Sequence, residues 1–268
     1  MSFKIGDRNI GFDYPPYIIA DACNNFNNDV EAAKDLCDQA KAVGVDAIKF
    51  QMRLQRDRLS PAQHAEVAKY CDEIEITWLC SAFDEEGFRF VNAIGVPVNK
   101  IPSGQMTNHA LIETVCEYER PLIISTGMSD WLDIRKLESA MRRMHTKVPY
   151  SVLQCTSIYP CPYNKVDLYV LKSLRGLYWS NVIPIGLSDH TPTIWTSIGA
   201  VALGARIIEK HITKNVRAEG PDHAASITPT RFAQLVEGCR AVFEARGTTK
   251  TFHDEEREKA KVHRWNYT

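Results

Sequence analysis

No C-x-x-C pair occurs among the eight cysteines of this 268-residue chain. Cys23, Cys37, Cys80, Cys155 and Cys239 sit in apolar segments where a core residue would, so they read as buried free thiols of a reducing cytoplasm rather than disulfides. Excess charge of either sign is also missing: 32 Lys and Arg stand against 33 Asp and Glu, a formal net charge of -1. That balance excludes broad binding to nucleic acid or to a membrane surface, both of which need a basic excess. The opening residues, MSFKIGDRNIGF, lack the charged-then-apolar pattern of a secretory signal. The longest apolar-looking run, near Ile198–Ile208, is broken by two glycines and an arginine and is too short to span a bilayer. Nor does any stretch rich in Pro, Gly or Ser divide the chain, which therefore reads as one domain.

What remains, with 44% hydrophobic and 24% charged residues, is enough apolar material for a large core. Phe3–Ile10 alternates around Gly6-Asp7 and predicts a short hairpin, a lid on one end of the domain, within residues 1–15. A rhythm of β-rich runs follows at Tyr17–Cys23, Asp46–Gln51, Thr77–Phe83, Val98–Ser103, Leu122–Thr126, Val152–Ser157, Ile183–Ser188 and Arg206–His211. Helical patterns fill the gaps. Asp29 precedes the first, Ser60, Pro61 and Gln63 resemble a capping box before the second, Ser129 precedes another, and Thr228-Pro229 opens the last. Eight strands alternating with helices predict a single (β/α)8 TIM barrel over residues 16–247, because each parallel strand needs a crossover to return the chain. Residues 248–268 turn polar and charged and read as a solvated tail or an arm onto a neighbouring subunit.

In such a barrel the reactive end lies where the strands stop. The final two strands run directly into Ser188, Asp189 and His190, and into Glu209, Lys210 and His211. Between them Thr191 is placed to cap a helix with Pro192 at its first position. Strand, helix, strand makes the two strands parallel neighbours, so His190 and His211 reach the same rim and can hold a divalent metal with positions left open. The other strand ends supply Asp21, Lys49, Ser81, Lys100, Ser103, Gln105, Ser125, Ser157 and Tyr159. Lysines and hydroxyls beside a Lewis acid suit a phosphorylated or carboxylated anion. Asp189 reads either as a carboxylate orienting an imidazole or as a group facing substrate, and Glu209 as a partner for a lysine across the barrel. Tyr159 either binds phosphate or packs in its loop. His223 touches substrate or only solvent, whereas His64, His109, His145, His253 and His263 read as structural or solvated.

The motifs AIKFQ (Ala47–Gln51), NKIPSGQMTN (Asn99–Asn108), STGMS (Ser125–Ser129), QCTSIYPCPYNKVDL (Gln154–Leu168), GLSDHT (Gly186–Thr191), EKHIT (Glu209–Thr213) and GPDH (Gly220–His223) occur in this order. Together they resemble the sialic acid (N-acetylneuraminate) synthases, phosphoenolpyruvate-dependent enzymes that make nine-carbon keto acids. The resemblance implies that His190 and His211 bind manganese or magnesium, and that Lys49, Ser81, Lys100, Ser103, Ser125, Ser157, Tyr159 and Ser188 line the phosphoenolpyruvate pocket. Asp21, Gln105 and Asp222 then fall at catalytic positions, with Asp222 facing the sugar. The implied reaction joins carbon 3 of phosphoenolpyruvate to the aldehyde of an open-chain amino sugar, adds water at carbon 2 and releases phosphate by C–O cleavage. A cytoplasmic homodimer is implied as well.

Three departures accompany the match. The first strand ends ADACNNFNND (Ala20–Asp29) where the family usually has AEIG-x-NHNG, so Asp21 stands for a longer carboxylate and Phe26 for a histidine. Gln105 occupies a position usually held by Glu or Asp, and a neutral amide cannot take up a proton. The antifreeze-like C-terminal domain of many members is not expected here. A synthase of a shorter 3-deoxy keto-sugar acid and a catalytically impaired barrel are the competing readings.

Overall fold

The computed structural model describes residues 2–52, 59–144, 148–178, 184–247 and 249–265. Two short strands, β1 (Ser2–Ile5) and β2 (Arg8–Gly11), form an antiparallel hairpin in which Phe3 pairs with Ile10. Gly6 turns it with a positive φ of 56°. Eight parallel strands follow: β3 (Tyr17–Cys23), β4 (Ala47–Met52), β5 (Thr77–Ala82), β6 (Asn99–Ile101), β7 (Leu122–Ser125), β8 (Tyr150–Cys155), β9 (Ile185–Asp189) and β10 (Ile207–His211). β10 pairs with β3 and closes the barrel. The structure therefore is a (β/α)8 barrel with an N-terminal hairpin, as the alternation of the sequence predicts.

The hairpin sits at the end of the barrel where strands begin. Arg8 forms an ion pair with Asp46, just before β4, and the Phe12 carbonyl accepts a hydrogen bond from Arg206, just before β10. It thus covers the rim opposite the strand ends that carry the candidate chemistry.

Helices α1 (Val30–Ala42), α2 (Pro61–Glu73), α3 (Glu85–Ala93), α4 (His109–Cys116), α5 (Trp131–Arg143), α6 (Val170–Tyr178), α7 (Trp195–Ala202) and α8 (Pro229–Ala245) connect or follow the strands. Asp29 caps α1 by accepting from the Glu31 and Ala32 amides, and Ser60 with Gln63 forms the expected capping box of α2. Two starts differ from expectation. Asp130, not Ser129, caps α5, because its carboxylate accepts from the Leu132 and Asp133 amides while Ser129 donates to the Gly127 carbonyl. Thr191 and Pro192 do not open α7, which begins at Trp195. The Thr191 amide and carbonyl are held instead by Asp189 and Lys210, so the chain cannot turn into a helix there. The segment after Gly247 also contains a helix, α9 (Asp254–His263), exposed apart from Ala260. Ile183 at the start of the predicted seventh barrel strand, and His145, lie outside the described residues. Among the described residues no helix is long and apolar enough to cross a membrane, and none of the eight cysteines is in a disulfide.

Candidate active site

Register decides which side chains share the mouth of the barrel. Asp21 lies opposite both Lys49 and His211, Ser81 opposite Lys100, and Ser188 opposite Glu209. Side chains alternate along each strand, so Glu209 and His211 turn inward and Lys210 outward. A cavity of about 270 Å³ results, lined by Asp21, Lys49, Ser81, Lys100, Ser103, Ser125, Ser157, Tyr159, Ser188, His190, Glu209 and His211 among others. Eleven of the thirteen residues that the resemblance assigns to the site are in that lining.

Gln105 and Asp222 are not. Gln105 ends a tight turn of 3-10 helix after β6, and its amide oxygen accepts from Asn108 on the loop side. Asp222 lies on the loop after β10 and is half-buried, yet near enough to Cys23 for its charge to add to the rise in the thiol's pKa that burial and Asp21 chiefly cause.

Two lysines govern the electrostatics of the floor. Both are 2% exposed. The Lys49 ammonium donates to Asp21 Oδ2 at 2.6 Å and to Ser81 at 3.2 Å. Burial alone would pull its pKa down, but the Asp21 and Glu209 carboxylates outweigh burial and hold it above the usual lysine value. Lys100 donates to Ser125 at 2.7 Å and to the Ile101 carbonyl, and its nearest carboxylate, Glu209 Oε1, is 3.8 Å away. There burial wins and lowers the pKa. Glu209 stands between the lysines, 3.9 Å from Lys49 and hydrogen-bonded by Ser188 at 3.0 Å, as the sequence reading of a cross-barrel pair expected. Its Oε2 has no hydrogen-bond partner.

Against this floor the two imidazoles meet. The rings of His190 and His211 are 5.0 Å apart at 75°, and Tyr159 packs on both, at 4.2 Å and 5.8 Å. His190 Nδ1 lies 2.9 Å from the Thr156 carbonyl, which places a proton on that nitrogen; burial would lower the ring's pKa, but Cys155 and this carbonyl outweigh it and hold it above the usual value. His211 Nε2 is 3.1 Å from Cys23 Sγ and 3.7 Å from Asp21 Oδ2. Burial, reinforced by His190 and Lys49, holds the His211 pKa well below its usual value, so the ring is neutral, the form that ligates metals. Ligand atoms of Asp21, Cys23 and His211 lie within 4.8 Å of one another. A nitrogen, a sulfur and an oxygen at that spacing fit a divalent cation.

Sequence reasoning missed Cys23, which it placed among the core thiols. No pattern of letters marks it, because a register shift between Asp21 and Cys23 interrupts the strand's alternation there. Asp189 is also placed differently from expectation. It orients neither imidazole nor substrate, because its carboxylate is pointed outward to Lys210 at 3.1 Å, Thr196 and Ser197 at 2.6 Å, and the Thr191 amide. His223 is buried with Nδ1 2.7 Å from Thr213 and is not among the residues that line the cavity.

Gly127 of the STGMS motif is the tightest backbone position of the site. A Cβ there would collide with Ser157 Oγ and would lie 2.7 Å from Ser103 Oγ. Its amide donates to Ser103 at 3.0 Å. Beyond it a wider cavity of about 680 Å³ shares Met128, Cys155 and Ser157 with the first and is walled by Trp131, Asp130, Asp133 and Asp167.

Residues 53–251 match the family model described as the NeuB family. The chain is 37% identical to an uncharacterized protein of Methanocaldococcus jannaschii, covering 91% of this chain and 76% of the relative. It is 31% identical to the N-acetylneuraminate-9-phosphate synthase of Homo sapiens, covering 90% and 74%. Among solved structures, the N-acetylneuraminic acid (sialic acid) synthetase of Leptospira borgpetersenii, in complex with citrate, superposes with a TM-score of 0.88 at 27% identity over 98% of both chains. With a family match across most of its length and a barrel of the same build, this chain belongs to the NeuB family.

Proposed function

We propose that this protein condenses phosphoenolpyruvate with the aldehyde of an N-acetylmannosamine-like amino sugar, giving a nonulosonic acid and phosphate. The observation that carries this reading is the pair of buried lysines, Lys49 and Lys100, converging with Ser81, Ser125 and Ser188 on one cavity beside two imidazoles. An enol phosphate carries a carboxylate and a phosphate, and two ammonium groups with hydroxyls between them match that charge and its spread. Lys100, whose ammonium is the less compensated of the two, gains most from an arriving anion. Ser103 and Ser157 flank the Gly127 backbone and offer further donors at the cavity wall.

His190 and His211, with Asp21 at 3.7 Å from the His211 ring nitrogen, would hold the divalent cation, for which the family resemblance implies manganese or magnesium. When bound, such a cation supplies Lewis acidity toward the acceptor's carbonyl oxygen. The chain's own residues do the rest. Lys49 holds the Asp21 carboxylate in place at 2.6 Å, Tyr159 covers both imidazoles from the solvent side, and the closed strand floor positions carbon 3 of the enol against the acceptor. Neutral Gln105, whose amide oxygen is taken up by Asn108, is neither a general acid nor a general base at neutral pH.

The wider cavity beyond Gly127 supports an acceptor without phosphate. Its described lining carries Asp130, Asp133 and Asp167 and no lysine or arginine. The names of the relatives separate on this point, one being a 9-phosphate synthase and one a synthetase of the unphosphorylated acid.

A screen of aldehydes with phosphoenolpyruvate and manganese, read by phosphate release, tests the reading. Release with N-acetylmannosamine above its 6-phosphate supports it. Release only with arabinose or erythrose phosphates moves the protein to the shorter keto-sugar acids, and no release with any aldehyde moves it to the impaired barrels. The same proposal places the enzyme in the cytoplasm as a homodimer, which light scattering on the purified protein checks for the assembly.

A further inference from the structure

We infer that the cation site is built with a sulfur donor, Cys23, so that it takes a borderline or soft divalent ion such as zinc, cobalt or ferrous iron in preference to magnesium. The inference rests on the reading above only for the location of the cation, and it concerns which ion the site selects.

Cys23 is not an ordinary core thiol. Its backbone is left-handed, with φ 45°, a conformation that costs a non-glycine residue about 1–3 kcal/mol and persists where the surroundings impose it. The ladder between β3 and β4 shifts register between Asp21 and Cys23, a bulge of the kind that re-aims a side chain at a strand end. The outcome is a thiol with 0% exposure, its sulfur 3.1 Å from His211 Nε2. On another side the Gln51 amide donates to the same sulfur at 3.1 Å, which is how a hydrogen-bonded neighbour supports a ligating thiolate.

The spacing suits one ion. With metal–sulfur and metal–nitrogen bonds of about 2.3 and 2.0–2.1 Å, a tetrahedral centre places sulfur and nitrogen roughly 3.6 Å apart, and nitrogen and oxygen roughly 3.4 Å apart. The separations here are 3.1 Å for Cys23 Sγ to His211 Nε2 and 3.7 Å for His211 Nε2 to Asp21 Oδ2, so adjustments of a few tenths of an ångström close the site. His190, whose ring is 5.0 Å from that of His211, stands on the same rim, and Nδ1 rather than Nε2 is the nitrogen that meets Thr156. Magnesium demands oxygen ligands in near-octahedral array and gains nothing from a thiol, whereas zinc, cobalt and ferrous iron accept mixed nitrogen, sulfur and oxygen sets. Binding converts the Cys23 thiol to thiolate, with its proton released to solvent.

Cobalt(II) chloride alone, added anaerobically to metal-stripped protein, provides the test without substrate or turnover. The expected result is a near-ultraviolet thiolate-to-cobalt charge-transfer band that saturates at one equivalent. In Cys23→Ser the band disappears. Cys23→Gly, which suits the left-handed backbone, serves as the second variant if serine does not fold, and it too lacks the band. In equilibrium dialysis against equimolar zinc and magnesium the wild type retains zinc, and the serine variant shifts toward magnesium. Three results overturn the inference: no cobalt bound, one equivalent bound without the band, or a band that survives both Cys23 variants and is lost in Cys155→Ser, the other thiol near His190. A normal band in protein that releases no phosphate with any aldehyde would retire the proposed reaction and leave the sulfur ligand standing.

Discussion

Glu209 and Lys210 are adjacent in sequence and buried in opposite settings. Lys210 points out of the barrel wall toward α7, where it and Asp189 are both 0% exposed at the side chain and 3.1 Å apart. Every polar atom of that outer cluster is occupied. Asp189 accepts from Thr191, Thr196 and Ser197 as well as Lys210, and Lys210 donates also to the Thr191 carbonyl at 2.6 Å. Burial pushes the Asp189 carboxyl up, but the lysine and hydroxyls overrule it and hold the pKa below the usual carboxylate value. Glu209 points into the lumen and joins a cluster left incomplete, with its own Oε2 and His211 Nδ1 lacking hydrogen-bond partners and Lys100 only loosely paired. A finished buried ion pair belongs to the scaffold, and an unfinished one awaits a ligand. The two clusters share a strand, so the difference comes from the direction of alternate side chains.

The contrast can be broken by variants on each side of β10. Lys210→Met should have the largest effect on folding, about 3–5 kcal/mol, because it leaves the Asp189 charge buried without its partner. Thermal unfolding would register it, while KM for phosphoenolpyruvate in the folded fraction stays at the wild-type value. His211→Ala should reverse that pattern. It abolishes phosphate release, by on the order of 10³-fold or more if a Lewis acid supplies several kcal/mol at about 1.4 kcal/mol per decade, with little change in unfolding temperature. Wild-type rates in this variant would refute the assignment of the imidazole to the cation.

Lys100→Met sharpens the comparison from the lumen side. Removing a cation that lacks a close carboxylate should raise KM for phosphoenolpyruvate by roughly 10- to 100-fold, the scale of a charge-assisted hydrogen bond of 1.5–3 kcal/mol. Stability should be unchanged or improved; a loss comparable to that of Lys210→Met would show that the lumen cluster is as structural as the outer one.

A control lies away from both clusters, where nothing is expected to change in phosphate release. His64 on α2 is 1% exposed, packs on the edge of Trp78 at 6.4 Å, and has no partner on either nitrogen. Burial lowers its pKa to about 4. Because the unfolded histidine takes up its proton near pH 6.5, stability should fall as pH drops below that value, by up to about 1.4 kcal/mol per pH unit, and level off below pH 4. Denaturant melts of His64→Leu between pH 7 and pH 4 should lack that component. An unchanged acid slope would assign the loss to other groups.

Much of this was legible beforehand, for definite reasons. The strand ends were readable because parallel strands of a closed barrel must terminate together, so Lys49, Lys100, His190 and His211 share a rim by topology alone. The sequence also separated His64 from the site histidines, since it falls within a helical pattern away from any strand end. What stayed hidden were contacts made by small polar residues. In the sequence Ile194, Ile198, Val201 and Ala202 recur at helical spacing and suggest one buried face for α7; Ile194 and Val201 are buried, Ile198 is half-buried and Ala202 is exposed, while Thr196, Ser197 and Ala200 are buried as well. The helix is turned by two hydroxyls that seek Asp189, a preference hydrophobic periodicity does not register. Cys23 was hidden for a related reason, since its role depends on a bulge and a left-handed backbone that a string of letters does not display.

The crowding around Gly127 carries a consequence for how this lineage can change. A side chain cannot be added at residue 127 while the hydroxyls of Ser103 and Ser157 remain, and losing those hydroxyls first strips the cradle of two donors. Either path crosses a handicapped intermediate, so the three positions form a lock that single steps do not open, and drift toward new acceptors is channelled to the far wall around Met128 and Trp131.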